Sequence, residues 1–191
     1  LALAYNNRGR ALLVEGRDEE ALQDFSKALN LDPQFEEAYN NRGNLYYRQK
    51  KFNDALADFN AALAINPYFK ESYNNIGNIY AVQNDFVRAI QYFNQVINID
   101  RKDSDAYYNR ATAFAFLGKY ELALKDYSQV IALNDRYAAA YYNRSLIFKS
   151  QGKFALALQD ALRAQKIGFN VSETYILELK NKDENNGDVH L

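Results

Sequence analysis

The chain has no cysteine and no methionine, one histidine, two prolines and eight glycines in 191 residues. Without cysteine there is no disulfide, no thiolate nucleophile and no zinc site built on sulfur; the compartment stays open. The single histidine, His190, sits next to the C-terminus, so no nucleophile–base–acid triad can be assembled, and the scattered glycines form no phosphate-cradling loop. A surplus of one charge is missing as well. Lys plus Arg number 23 against 24 Asp plus Glu, a net −1, which lacks the basic excess needed to neutralise a phosphate backbone. No run approaches the roughly 18 apolar residues of a membrane span, and Leu1–Tyr5 has none of the regions of a signal peptide. The sequence opens on leucine, and no capping segment precedes Tyr5. The expectation is therefore that it starts downstream of its translation start, with further repeats upstream.

What is abundant is asparagine, with 22 copies, and tyrosine, with 16. They fall in a pattern. YNNRG at 5 and 39, YNNIG at 73, YYNRA at 107 and YYNRS at 141 recur every 34 residues without an insertion. Numbered from Ala2, Glu36, Lys70, Ser104 and Ala138, position 4 of each copy is Tyr5, Tyr39, Tyr73, Tyr107 and Tyr141. Position 8 is small (Gly9, Gly43, Gly77, Ala111, Ser145), position 20 is alanine throughout, and position 24 is Phe25, Phe59, Phe93, Tyr127 and Ala161. At 100° per residue, positions 4, 8 and 11 lie within about 60° of one another, an apolar stripe with a small residue at its centre. That spacing predicts a first helix (A) packed closely on an antiparallel second helix (B), with rings at 4, 11 and 24 filling the space around the contact. Turn signals stand between them at Gly16, Gly118 and Gly152, and between copies at Asp32-Pro33 and Asn66-Pro67.

The period and these positions resemble the tetratricopeptide repeat family, in a style similar to its bacterial members, a resemblance that implies a cytoplasmic or periplasmic protein. The resemblance implies an all-α, right-handed superhelical solenoid of five helix–turn–helix units at 2–35, 36–69, 70–103, 104–137 and 138–170, followed by a C-terminal capping helix at 171–180. Ser172 is the expected N-cap, and the polar segment 181–191 is expected to be disordered. The pattern departs locally from the family: Arg101, Asp135 and Phe169 stand where proline is usual, and position 7 is mostly arginine rather than leucine.

That arginine has a correlate. Position 7 reads Arg8, Arg42, Ile76, Arg110, Arg144, while position 23 reads Asp24, Asp58, Tyr92, Asp126, Asp160. The one copy without the arginine is also the one without the aspartate. An ion pair from helix A to helix B within each unit is predicted, replaced in the third by an Ile–Tyr contact.

The opposite face of helix A carries asparagine at position 6 in every copy: Asn7, Asn41, Asn75, Asn109 and Asn143. A mediocre helix former repeated five times at mid-helix asks for a reason. The carboxamide offers a donor and an acceptor together, matching the main chain of an extended peptide. Asn44 and Asn78 at position 9, and Asn6, Asn40 and Asn74 at position 5, thicken the amides on this face, resembling the ladders that line peptide grooves in other family members. Bonding of the same amides to neighbouring helices is the competing reading. At position 5 the fourth and fifth copies carry Tyr108 and Tyr142, with Phe116 nearby, predicting a preference for an aromatic or aliphatic side chain there, with packing of the rings against adjacent helices as the competing reading. The family's carboxylate clamp needs lysine and arginine where this chain has Glu37, Glu71 and Asp105, and is rejected. The resulting expectation is a non-catalytic module for a protein or peptide partner, without cofactor, metal, nucleic acid or membrane insertion. Recruitment of substrate to a larger enzyme, or self-association into a homo-oligomer, are the alternatives.

Overall fold

The computed structural model describes residues 1–187; residues 188–191, and with them His190, lie outside the described residues. Eleven helices and no strand occur among the described residues: α1 (Ala2–Val14), α2 (Asp18–Leu31), α3 (Glu36–Arg48), α4 (Phe52–Ile65), α5 (Lys70–Val82), α6 (Phe86–Ile99), α7 (Ser104–Phe116), α8 (Tyr120–Leu133), α9 (Ala138–Ser150), α10 (Phe154–Lys166) and α11 (Glu173–Gly187). The architecture is an all-α repeat solenoid in two compact units, an N-terminal one of α1–α6 and a C-terminal one of α7–α11.

Each A–B turn has the same construction. The first helix ends in a six-to-one bond, as from Arg17 N–H to the Leu12 carbonyl at 2.9 Å and from Lys51 N–H to the Tyr46 carbonyl at 2.9 Å. This closure requires a left-handed residue just past the helix. Gly16, Gly118 and Gly152 supply it without strain, whereas Lys50 (φ 59°) and Asn84 (φ 60°) adopt it as non-glycine residues. Between hairpins the turn is held by the residue before the proline site. Asp32, Asn66 and Asn134 each accept, through a side-chain oxygen, the main-chain N–H two residues on, at 3.0 Å. Asn134 does so with Asp135 following, so proline is dispensable there.

The close helix approach is built as the spacing predicts. Phe25, Phe59 and Phe93 are buried against the glycines of the partner helix, and a Cβ placed on Gly9, Gly43 or Gly77 would come within 2.7 Å or less of the ring. In the C-terminal unit Ala111 packs in one cluster with the buried Tyr127, and the buried Ser145 shares a hydrogen bond with the hydroxyl of Tyr175 (3.1 Å). Tyr175 lies 34 residues after Tyr141, so α11 continues the repeat register as a further A-type helix. Ser172 Oγ accepts from the Tyr175 N–H at 3.2 Å at its start. The helix runs on to Gly187, so the expectation of disorder is corrected for 181–187; the remainder of that segment lies outside the described residues.

Candidate functional site

The position-7 arginines are turned to helix B. Arg42, Arg110 and Arg144 each place Nε and one terminal nitrogen on both oxygens of Asp58, Asp126 and Asp160 at 2.7–2.8 Å, and Arg8 grips Asp24 the same way. These parallel, charge-assisted bonds match the fork of guanidinium to carboxylate. The same guanidinium carbons lie 5.3–5.8 Å from the rings of Tyr5, Tyr39, Tyr107 and Tyr141. Hydrogen bonds from Arg8 hold the Asp24 carboxyl below the usual carboxylate range, against the opposing effect of burial. In the third hairpin Ile76 is buried in an apolar cluster against which Tyr92 packs, and Tyr92 stacks on Tyr80 at 5.5 Å. Apolar packing thus stands in the third hairpin where the others have the ion pair.

The asparagines form rungs between successive A helices. Asn41 Nδ2 donates to Asn6 Oδ1 at 2.9 Å, and Asn75 Nδ2 donates to Asn40 Oδ1 at 2.9 Å. Asn6 and Asn40 are buried, and Asn40 Oδ1 also accepts from Ser72 Oγ at 3.4 Å. Asn40, expected to face a ligand, is therefore corrected to a joining residue: its acceptor is already shared by two donors of the next hairpin. In the C-terminal unit Asn143 Nδ2 donates to the Tyr108 hydroxyl at 3.0 Å. Asn7 is exposed; Asn41, Asn44, Asn74, Asn75, Asn78, Asn109 and Asn143 are half-buried. The rungs use the amide nitrogen of Asn41, Asn75 and Asn143 as donor, and Asn143 is a hydrogen-bond partner of Tyr127 as well.

Tyr108 and Tyr142 are also joining residues. The Tyr108 ring lies 4.9 Å from Tyr137 and 5.8 Å from Tyr127, and Tyr142 stacks on Phe169 at 4.8 Å with Tyr175 at 5.9 Å. Both rings are half-buried, with these contacts on the side of the neighbouring helices. Tyr137 donates to Asp105 at 2.9 Å, and burial together with that carboxylate pushes its hydroxyl pKa well above the ordinary tyrosine value.

Apolar surface is offered one turn further along instead. Phe116 (69% exposed), Tyr120 (42%) and Leu146 (40%) border a cavity of about 360 Å³ in the C-terminal unit, with Thr112, Tyr127 and Asn143 also lining it. Its signal in the sequence is position 9, where Asn44 and Asn78 give way to Thr112 and Leu146. Only Phe116 of the exposed three is singled out by the sequence reading above. Among the described residues no group of three or more His, Asp or Glu side chains is placed to hold a metal ion, and no helix is long and apolar enough to cross a membrane.

No curated protein sequence matches the chain. Among solved structures it is similar to MamA (TM-score 0.76, 21% identity, 83% of this chain and 93% of that chain). It is also similar to YrrB, described as a TPR protein with an unusual peptide-binding site (0.73, 23%, 95% and 92%), and to PilF of Pseudomonas aeruginosa (0.83, 19%, 93% and 80%). At these identities the likeness is one of fold. The family pattern described as "Tetratricopeptide repeat" matches residues 36–69, 71–103 and 104–137, more than half the chain, and one described as "TPR repeat" matches 9–50. With these matches, the 34-residue hairpins, the small-residue contact and the shared turn construction, the chain belongs to the tetratricopeptide repeat family.

Proposed function

We propose that the chain is a non-catalytic protein-interaction module that holds an extended or partly helical partner segment on its helix-A face, and that asparagine carboxamides meet that segment's main chain. The observation that carries the reading is the orientation of the rungs. Each Nδ2 of Asn41, Asn75 and Asn143 is held by the preceding A helix, so the side chain is fixed before any partner arrives, with Oδ1 as its acceptor. A pre-oriented acceptor binds a main-chain N–H without the entropy of ordering a free side chain. The ladder is then one of acceptors, with Asn7, Asn44, Asn78, Asn74 and Asn109 as further polar contacts on the same face. The peptide-binding site of the similarly folded YrrB supports an interaction role for such a face.

A peptide recovered from a random displayed library against the intact chain tests this. Resynthesised with single main-chain amides N-methylated, it should lose about tenfold in affinity at the N–H groups that meet Asn Oδ1, roughly 1.4 kcal/mol each. Asn41→Ala or Asn75→Ala should abolish the sensitivity at one such amide and leave the others. A binder indifferent to methylation at every position would end the carboxamide reading.

A further inference from the structure

Three A helices, α3, α5 and α9, each turn one face to the helix B before them, and that face repeats by position. Positions 3 (Ala38, Ser72, Ala140) and 10 (Leu45, Ile79, Ile147) are 0–5% exposed. Ala38 shares a cluster with Leu29, Leu45 with Phe25, and Ile147 with Tyr127. The arginine at position 7 reaches across as well. Arg42 Nη1 donates to Ser26 Oγ at 3.3 Å, and Arg144 Nη1 to Ser128 Oγ at 2.9 Å.

On α1 the same positions are Ala4, Arg8 and Ala11, and all three are exposed. The Arg8 side chain is 64% exposed, against 21% for Arg42 and 18% for Arg144. Leu1, in register with the half-buried Phe35 and Tyr137, is 84% exposed. Arg8 bonds Asp24 through Nε and Nη2, as its counterparts bond their aspartates, and makes no bond to a second helix through Nη1. The interface that α3, α5 and α9 bury is therefore presented uncovered on α1.

The helices that cover this interface elsewhere share one pattern, LQDFSKAL in α2, LADFNAAL in α4 and LKDYSQVI in α8. Its first, fourth and eighth residues are apolar and its fifth carries a side-chain oxygen, four places on one helical face. Asp24 already balances the charge of Arg8, so a neutral oxygen suits Nη1, as a serine hydroxyl does for Arg42 and Arg144. Ala11 stands where α3 and α9 carry Leu45 and Ile147, which leaves the aromatic residue of the pattern room to seat its ring. A second folded copy has no such helix to offer. Phe25, Phe59, Phe93 and Tyr127 are buried, and α10 carries Ala161, Leu162 and Gln165 in the last three places of the pattern.

We propose that the face of Leu1, Ala4, Arg8 and Ala11 docks a helix of another protein that carries Leu-x-x-Phe/Tyr-Ser/Asn-x-x-Leu/Ile, its fifth-place oxygen accepting from Arg8 Nη1. This is a second surface, and it does not rest on the carboxamide reading.

The probe is a fluorescein-labelled peptide of the α8 sequence, Tyr120–Leu133, held helical by a hydrocarbon staple on the side away from the pattern. Titrated with the intact chain, it should show a saturable rise in anisotropy. The chain carrying Ala4→Glu and Ala11→Glu, both at exposed positions, should bind at least tenfold more weakly with helicity by circular dichroism unchanged. A peptide with Ser128→Ala should bind about fivefold more weakly, the range of one hydrogen bond. On an Arg8→Leu chain the two peptides should bind equally; if loss of the Asp24 pair unfolds that chain, the glutamate variant and the peptide pair decide the matter. Absence of a saturable rise, binding untouched by the two glutamates, or equal affinity of the serine and alanine peptides for the unaltered chain would overturn the proposal. Binding lost in Asn41→Ala but kept in the glutamate variant would assign the peptide to the asparagine rungs and overturn it too. So would self-association in sedimentation that the glutamates abolish, which would give the face to a second copy.

Discussion

In the N-terminal unit successive A helices are joined by pairs of carboxamides, Asn41 on Asn6 and Asn75 on Asn40; in the C-terminal unit the same position-6 amide, Asn143, bonds a tyrosine hydroxyl. The helix-to-helix contact changes in step. Glycine faces a buried phenylalanine three times in the first unit, while in the second alanine packs with a buried tyrosine and the equivalent serine bonds a tyrosine hydroxyl. One backbone plan thus tolerates two joining chemistries. A carboxamide pair is compact and polar on both sides, whereas a tyrosine hydroxyl comes attached to a ring that recruits further rings, Tyr137 and Tyr127 here. The apolar cavity stands in the second setting, where position 9 has become threonine and leucine.

The largest test of this comparison is at the ion pairs that both units share. Arg42→Ala leaves Asp58, 5% exposed, without its partner, and should destabilise by about 3 kcal/mol, seen as a lower urea midpoint. Because the third hairpin does without the pair, Arg42→Ile combined with Asp58→Tyr should recover most of that loss, while Ile76→Arg alone should stabilise nothing. Next in size is Gly43→Ala, which drives a Cβ to 2.7 Å from the buried Phe59 ring and should cost about 2 kcal/mol. The reverse change in the other unit, Ala111→Gly, should cost about 1 kcal/mol through helix propensity alone. Equal losses at the two sites would show that the units pack alike after all.

The rungs themselves give a smaller contrast. Asn40→Ala strands the Asn75 amide and removes an acceptor from Ser72, for about 2 kcal/mol; Tyr108→Phe removes one acceptor from Asn143, for about 1 kcal/mol. Thermal melts of the two variants should rank in that order. Smallest is the pH dependence at Arg8 and Asp24. The folded carboxyl is depressed, so its contribution is present above the unfolded pKa of about 4 and disappears as pH falls through the folded value. Asp24→Asn should flatten the acid limb of a urea-midpoint series; an unchanged limb would mean that the pair does not set it.

The hairpins, the close contact at position 8 and the Arg–Asp pairing were legible in the residues, because each is a comparison among five copies within one helix pair. The third copy made the pairing readable by losing both partners together. Left-handed Lys50 and Asn84 could have been found by aligning them with Gly16. The extension of α11 through 181–187 was not legible, since a polar stretch carries no apolar period to reveal a helix. Nor was the burial of Asn40: a position on a helical wheel says which face a side chain leaves from, not whether the next hairpin covers it.

The amino-acid order by itself settled the 34-residue period, the helix pairs and which side chains meet inside each pair, since short-range geometry and repeated spacing determine all of these. Only the tertiary structure decided which way each carboxamide turned. A donor or acceptor is used up by whatever atom stands within about 3 Å of it, and on this chain that atom belongs to a hairpin 35 residues away.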